Sequence, residues 1–93
     1  AAVVQLTKAL AIELGRHNIR VNAIAPGYFV TEINADYLAG KGAAMVKDIP
    51  LGHFGGEGDL DGPLLLLASQ AGAFAHGATF VIDGGQMIGL RGS

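Results

Sequence analysis

The run Pro26-Gly27-Tyr28-Phe29-Val30-Thr31 follows a stretch with strand character and is where this sequence best supports chemistry. Ile19, Val21 and Ile24 supply β-branched, apolar residues. Strand alternation sets Arg20, Asn22 and Ile24 on one side, Val21 and Ala23 on the other. Pro26 has no N–H for a sheet ladder, and Gly27 reaches backbone angles that other residues avoid. A strand closing on Pro-Gly ends in a bare loop, and in open α/β sheets ligands bind outside the carboxyl ends of strands. Thr31 adds a hydroxyl a few residues on. Other reactive residues are less well placed. Tyr37 and Lys41 have the Tyr-x-x-x-Lys spacing that puts both side chains on one helix face. Gly40 interrupts that segment, so a surface pair is the better reading. His17 belongs to a turn after a helix. His53 and His76 lie far apart in glycine-rich loops, with no cysteine or carboxylate at ligand spacing, so no metal site is expected. Asp59 and Asp61 face different ways on a helix and suit its first turn.

The elements that must position the loop follow from periodicity. Ala1 to about Arg16 reads as a helix of good formers. Val3, Leu6, Leu10 and Leu14 make one stripe; Val4, Ala11 and Ile12 extend it to a second face, so burial on more than one side is expected. Gly15 ends it. The helix opens on Ala1-Ala2-Val3-Val4 without a capping residue, which predicts a chain cut inside a longer helix. After Thr31, an Ala-rich segment broken at Gly40 and Gly42 predicts two short helices forming a mobile lid over about 31–48. Residues 49–56 read as a loop pinned by Leu51 and Phe54. A helix then runs from Asp59 or Asp61 to about Ser69, with Pro63 in its first turn. Its tetraleucine run predicts burial all round. Thr79 to Asp83 reads as a second strand closed by Gly84-Gly85. Residues 86–93 read as a tail, Gly92-Ser93 as native or tag residues. The alternation of helix and strand signals a parallel sheet. Two strands cannot shelter two such apolar helices, so the fold class is α/β, part of a doubly wound sheet.

Bulk composition narrows the function. The 93 residues are 51% hydrophobic and 15% charged, against about 25% charged in an average domain. Such an imbalance predicts surface covered by something else. Net charge is −2 and no basic run exists, which argues against nucleic acid. There is no cysteine, hence no disulfide or thiolate chemistry. No apolar run approaches the ~20 residues of a membrane span, and no signal peptide opens the chain. A cytoplasmic protein is the expectation.

Five segments, in order, resemble the C-terminal part of the short-chain dehydrogenases/reductases. They are 6–14 (LTKALAIEL), 19–27 (IRVNAIAPG), 50–55 (PLGHFG), 67–69 (LAS), and Gly77 with 81–85 (VIDGG). The pattern is similar to the branch of ketoacyl reductases, sugar-acid dehydrogenases and polyol dehydrogenases. The resemblance implies a Rossmann-type domain spanning 1–93 as its C-terminal fragment, with the N-terminal strands absent. It implies NAD or NADP, and hydride transfer between a secondary alcohol and a ketone. It also implies that the cut falls just past the catalytic lysine, so no catalytic residue is assigned here and this chain alone is expected to be inactive. The cofactor-binding residues carried over are Pro26 and Gly27 against the nicotinamide face, Phe29 whose backbone meets the carboxamide, and Thr31 bonding carboxamide or phosphate. Thr31 as a mere cap of the lid helix, with Asn34 behind it, stays open. Tyr28 and 34–46 would border a small alcohol or ketone substrate. Asp83-Gly84-Gly85 matches a turn used in subunit contact, implying a homodimer or homotetramer. Gly62-Pro63 departs from the family's unbroken helix and puts that helix's length in question. A different class remains in play: a non-enzymatic oligomerisation module docking through its apolar helices.

Overall fold

A computed structural model describes residues 2–88. The chain divides into two compact units, one of Ala1–Ala25 and Asp61–Phe80, the other of Pro26–Leu60 and Val81–Ser93. The elements are α1 (Ala2–Leu14), β1 (Ala23–Pro26), α2 (Ala35–Val46), α3 (Asp61–Ala68) and β2 (Thr79–Ile82). β1 and β2 form a two-stranded sheet, and both run from the first unit into the second. The bonds Ala23 N–H to Ala78 O and Gly27 N–H to Ile82 O advance together along both strands, so the pair is parallel.

In the first unit, α1 turns a different stripe inward from the expected one. Thr7 and Ala11 are buried and Val4 and Leu14 half-buried, whereas Val3 and Leu6 are 65% and 58% exposed. Small residues win because they allow close approach: a Cβ built on Gly77 would lie 3.4 Å from that of Ala11. The buried Thr7 hydroxyl donates back to Val3 O at 2.7 Å and so needs no outside partner. The helix stops at Leu14, and Gly15–His17 tightens into a 3₁₀ turn. Asn18, rather than Gly15, takes the left-handed conformation (φ 61°), which asparagine tolerates better than most residues.

β1 is shorter than expected because side chains replace its first rungs. Arg20 Nη1 donates to Gly72 O at 2.7 Å. Asn22 Nδ2 donates to Ala75 O, and Asn22 Oδ1 accepts the Ala78 N–H, both at 3.0 Å. His76 adds a pin with both ring nitrogens. Nε2 lies 2.6 Å from Ala11 O, which only accepts, and Nδ1 accepts the Val21 N–H at 3.2 Å. These partners fix the tautomer with hydrogen on Nε2. A Cβ on Gly15 would come within 2.9 Å of that nitrogen, so the ring fills the glycine's space. α3 begins at Asp61 with Pro63 in its first turn, as expected. Its expected all-round burial is overturned: Leu64 and Leu65 are 52% and 69% exposed. A helix apolar on every side covers only one side within a unit of this size.

In the second unit, α2 is one continuous helix, not two with a hinge. Gly42 is buried under the Phe54 ring, 2.9 Å from where its Cβ would stand, so that glycine marks a packing contact inside the helix. The loop after α2 is pinned by Ile49, which is buried, and Phe54 is half-buried. Leu51, expected to help, is exposed and held instead through its N–H to Gly84 O at 3.0 Å. Gly84 and Gly85 both have positive φ (64° and 89°), the conformation that requires glycine in this turn. Of the expected tail over 86–93, residues 86–88 are helical, and 89–93, with Gly92-Ser93, lie outside the described residues. Among the described residues no helix is long and apolar enough to cross a membrane.

Candidate functional site

The loop that leaves β1 is built within the second unit. Pro26 is the last residue of β1, not the first beyond it, and is exposed. Gly27 donates its N–H to Ile82 O at 3.1 Å. Its missing side chain is essential to the packing: a Cβ there would lie 2.6 Å from Asp83 Cβ and 2.7 Å from Gln86 Oε1. Gln86 Oε1 in turn accepts the Tyr28 N–H at 3.2 Å. Asp83 holds the next turn, with Oδ1 accepting the Gly85 N–H at 2.9 Å and Oδ2 accepting the Met87 N–H at 3.0 Å. The loop is thus backed on one side by Asp83 and Gln86, while Pro26 and Thr31 stay open to solvent.

Phe29 forms an isolated parallel bridge with Gly55: Gly55 N–H donates to Tyr28 O and Val30 N–H to Gly55 O, both at 2.9 Å. Backbone alternation then directs the N–H and C=O of Phe29 itself away from the bridge. The Phe29 carbonyl accepts from Asn34 Nδ2 at 2.8 Å. A Cβ on Gly55 would come within 2.6 Å of the Phe29 ring, so this glycine makes room for the ring. Thr31 and Asn34 cap each other: Thr31 N–H donates to Asn34 Oδ1 at 2.7 Å, and Asn34 N–H to Thr31 Oγ1 at 3.3 Å. That reciprocal pattern is a capping box leading into α2. The capping role of Thr31 is therefore realised; its hydroxyl accepts one bond and keeps its own hydrogen to donate.

A cleft of about 170 Å³ opens beside the loop, lined by Tyr28, Phe29, Leu51, His53, Asp59 and Asp83 among others. Tyr28 and Phe54 meet edge to face with ring centroids 6.2 Å apart. Asp59 lies ahead of α3, its Oδ2 accepting the Gly56 N–H at 2.7 Å, so it closes a turn and does not cap the helix. Tyr37 and Lys41 lie on α2 with exposed side chains and do not line the cleft. Among the described residues no group of three or more potential metal ligands occurs.

Sequence reasoning singled out Pro26, Gly27, Phe29 and Thr31; in the structure Pro26 ends β1, and the other three follow on the loop that leaves it. It missed the backing by Gln86 and the bridge to Gly55. Asp before Gly-Gly is a turn signal that points to the Asp83 bonds; nothing local to Gln86 or Gly55 reveals their partners.

A parallel strand pair with flanking helices is an α/β arrangement of the Rossmann type. The family described as enoyl-(acyl carrier protein) reductase matches residues 1–87, and the chain belongs to it, within the short-chain dehydrogenases/reductases. It is 43% identical over 93 residues to L-rhamnose 1-dehydrogenase (NAD(P)(+)) of Sphingomonas sp. (strain SKA58), covering 98% of this chain and 37% of that protein. It is 43% identical over 89 residues to 2-dehydro-3-deoxy-D-gluconate 5-dehydrogenase of Dickeya dadantii (strain 3937), covering 91% of this chain and 34% of that one. Its fold is similar to 4-hydroxyisoleucine dehydrogenase complexed with NADH, with TM-score 0.85 and 37% identity over 94% of this chain and 37% of that structure. The chain therefore spans about a third of the length of the relatives it matches.

Proposed function

We propose that this chain is the C-terminal portion of an NAD(P)-dependent oxidoreductase that interconverts a secondary alcohol and a ketone. The observation that supports it most directly is the family match over 1–87, coinciding with an open loop at the end of β1. That loop fits the nicotinamide end of a dinucleotide. Pro26 offers an exposed apolar ledge, the Phe29 N–H points out of its bridge, and Thr31 retains a hydroxyl hydrogen. The cofactor, NAD or NADP, would carry the hydride, its oxidised form accepting it from an alcohol and its reduced form donating it to a ketone. This chain's residues orient the ring and its carboxamide, and Gly27 keeps the loop close to its backing. Over the site, α2 and the turn before it act as the substrate lid. The exposed Leu64, Leu65 and Phe74 of the first unit serve subunit contact in a homodimer or homotetramer.

The test is the full-length protein with NADH and NADPH against a panel of polyols, sugar acids and ketoacyl thioesters. A change in the reduced-nicotinamide absorbance with one of them is expected. Silence across the panel, together with no cofactor binding, defeats the reading. The exposed leucines also favour a non-enzymatic docking module. A discrete 93-residue oligomer with a cooperative melt would support that alternative, whereas an aggregate or poorly folded chain supports the oxidoreductase fragment.

A further inference from the structure

Within the second unit, the Phe54 ring touches both the loop that leaves β1 and α2. The half-buried ring meets Tyr28 edge to face, with centroids 6.2 Å apart and planes at 66°. The same ring lies over Gly42 of α2, where a Cβ would stand 2.9 Å from Phe54 Cε2 and 3.4 Å from Cζ. Leu38, buried one turn earlier on the helix, brings its Cβ to 3.8 Å from that position. The next residue, Gly55, is the bridge partner of Phe29. Its N–H donates to Tyr28 O and its carbonyl accepts the Val30 N–H, both at 2.9 Å. These two bonds bracket Phe29 and set the direction of its own N–H, which points away from Gly55. Beyond it, Gly56 N–H donates to Asp59 Oδ2 at 2.7 Å. Gly55 and Gly56 have no side chains and wide backbone freedom, so Phe54 is the side chain that packs this segment. Without the ring, Gly55 is free to shift, and its two bonds carry the Phe29 peptide with it. Hydrogen bonds weaken steeply with angle, so a turned N–H is a poorer donor.

We propose that Phe54 is a positioning residue: its ring, held between Tyr28 and Gly42, fixes Gly55 and through it aims the Phe29 N–H at the carboxamide of a bound nicotinamide. The inference rests on the oxidoreductase reading and adds to it a residue that acts through another. The test is isothermal titration calorimetry on the full-length protein with two probes. One is the reduced dinucleotide it binds, NADH or NADPH. The other is ADP-ribose or its 2′-phosphate, which keeps the adenosine, pyrophosphate and second ribose but lacks the nicotinamide. Phe54→Leu is expected to weaken the reduced dinucleotide about fivefold, on the order of one hydrogen bond, and to leave ADP-ribose binding unchanged. Gly42→Ala displaces the ring without removing it, and is expected to show the same selective loss. The double variant is expected to lose no more than Phe54→Leu alone, whereas independent effects would multiply to about twenty-fivefold. Circular dichroism melts show that each variant is folded at the titration temperature; Phe54→Met, which fills more of the space, replaces Phe54→Leu if that variant is not. Equal weakening of both probes, a multiplied loss in the double variant, or unchanged dinucleotide binding in Phe54→Leu overturns the inference while the oxidoreductase reading stands. An unaltered protein that binds neither probe overturns both.

Discussion

Gly27 and Thr31 show how much of the site depends on single atoms. Adding one methyl at Gly27 brings it 2.6 Å from Asp83 Cβ, closer than real contacts allow, with backbone and not only a flexible tip in the way. Gly27→Ala is therefore expected to destabilise the protein by about 1–3 kcal/mol, the usual cost of overpacking, read as a lower urea midpoint. Thr31 accepts the Asn34 N–H with the hydroxyl that the proposed function also assigns to the cofactor. Thr31→Val removes the acceptor for Asn34 N–H and costs about 1 kcal/mol as a lost cap; Thr31→Ser keeps it. In the full-length protein, Thr31→Val also weakens cofactor binding more than Thr31→Ser, as measured by nicotinamide fluorescence. The capping role of Thr31 is legible in the sequence, because a hydroxyl three residues ahead of Asn34 fits a capping box. The backing of Gly27 by Gln86 is not legible, since it joins residues far apart in the chain by side-chain reach alone.

Among the elements, α2 is where local signals mislead most. Two glycines in an Ala-rich segment suggest a hinge, because glycine weakens a helix interior. The structure separates them: Gly40 has nothing near its Cβ position, whereas Gly42 sits under Phe54. The two positions then respond in opposite directions. Gly40→Ala is expected to raise stability by about 0.5–1 kcal/mol through helix propensity and a less free unfolded chain. Gly42→Ala gains the same propensity but crowds the Phe54 ring, and lowers the melting temperature relative to Gly40→Ala. Should both raise it equally, the contact under Phe54 is not a constraint. α1 teaches a related lesson. Its helical period is plain in the sequence, yet Thr7 and Ala11 face inward in place of the larger Leu6. Hydrophobicity alone ranks leucine first; close approach to Gly77 and reach for His76 favour small residues. At this scale the His76 pin also makes a prediction. His76→Ala leaves Val21 N–H without its partner and opens space beside Gly15, and costs about 1–3 kcal/mol. His76→Gln, which can restore one of the two bonds, costs less in the same denaturation series.

For the molecule as a whole, the family and the α/β class were legible because five short motifs keep their order along the chain. The burial of the helices was not. A composition of 51% hydrophobic residues implies covered faces, but not by what. Ile12, Leu65 and Phe74 remain exposed here at 84%, 69% and 102%. Exposed side chains of that size, on a chain spanning a third of its relatives, take cover either from the rest of the protein or from another subunit, and the subunit contact proposed above is the second of these. Leu65→Glu in the full-length protein is accordingly expected to shift its size-exclusion profile toward smaller species. An unchanged profile places the contact elsewhere. The contact of Gly27 with Asp83 and Gln86 has a further consequence. Because that glycine's empty space is occupied by two residues from the opposite end of the sequence, a lineage drifting away from glycine must first trim both of them. The three positions are therefore expected to change together, and a chimera that exchanges residues 83–86 between homologues is expected to lose stability unless position 27 travels with them.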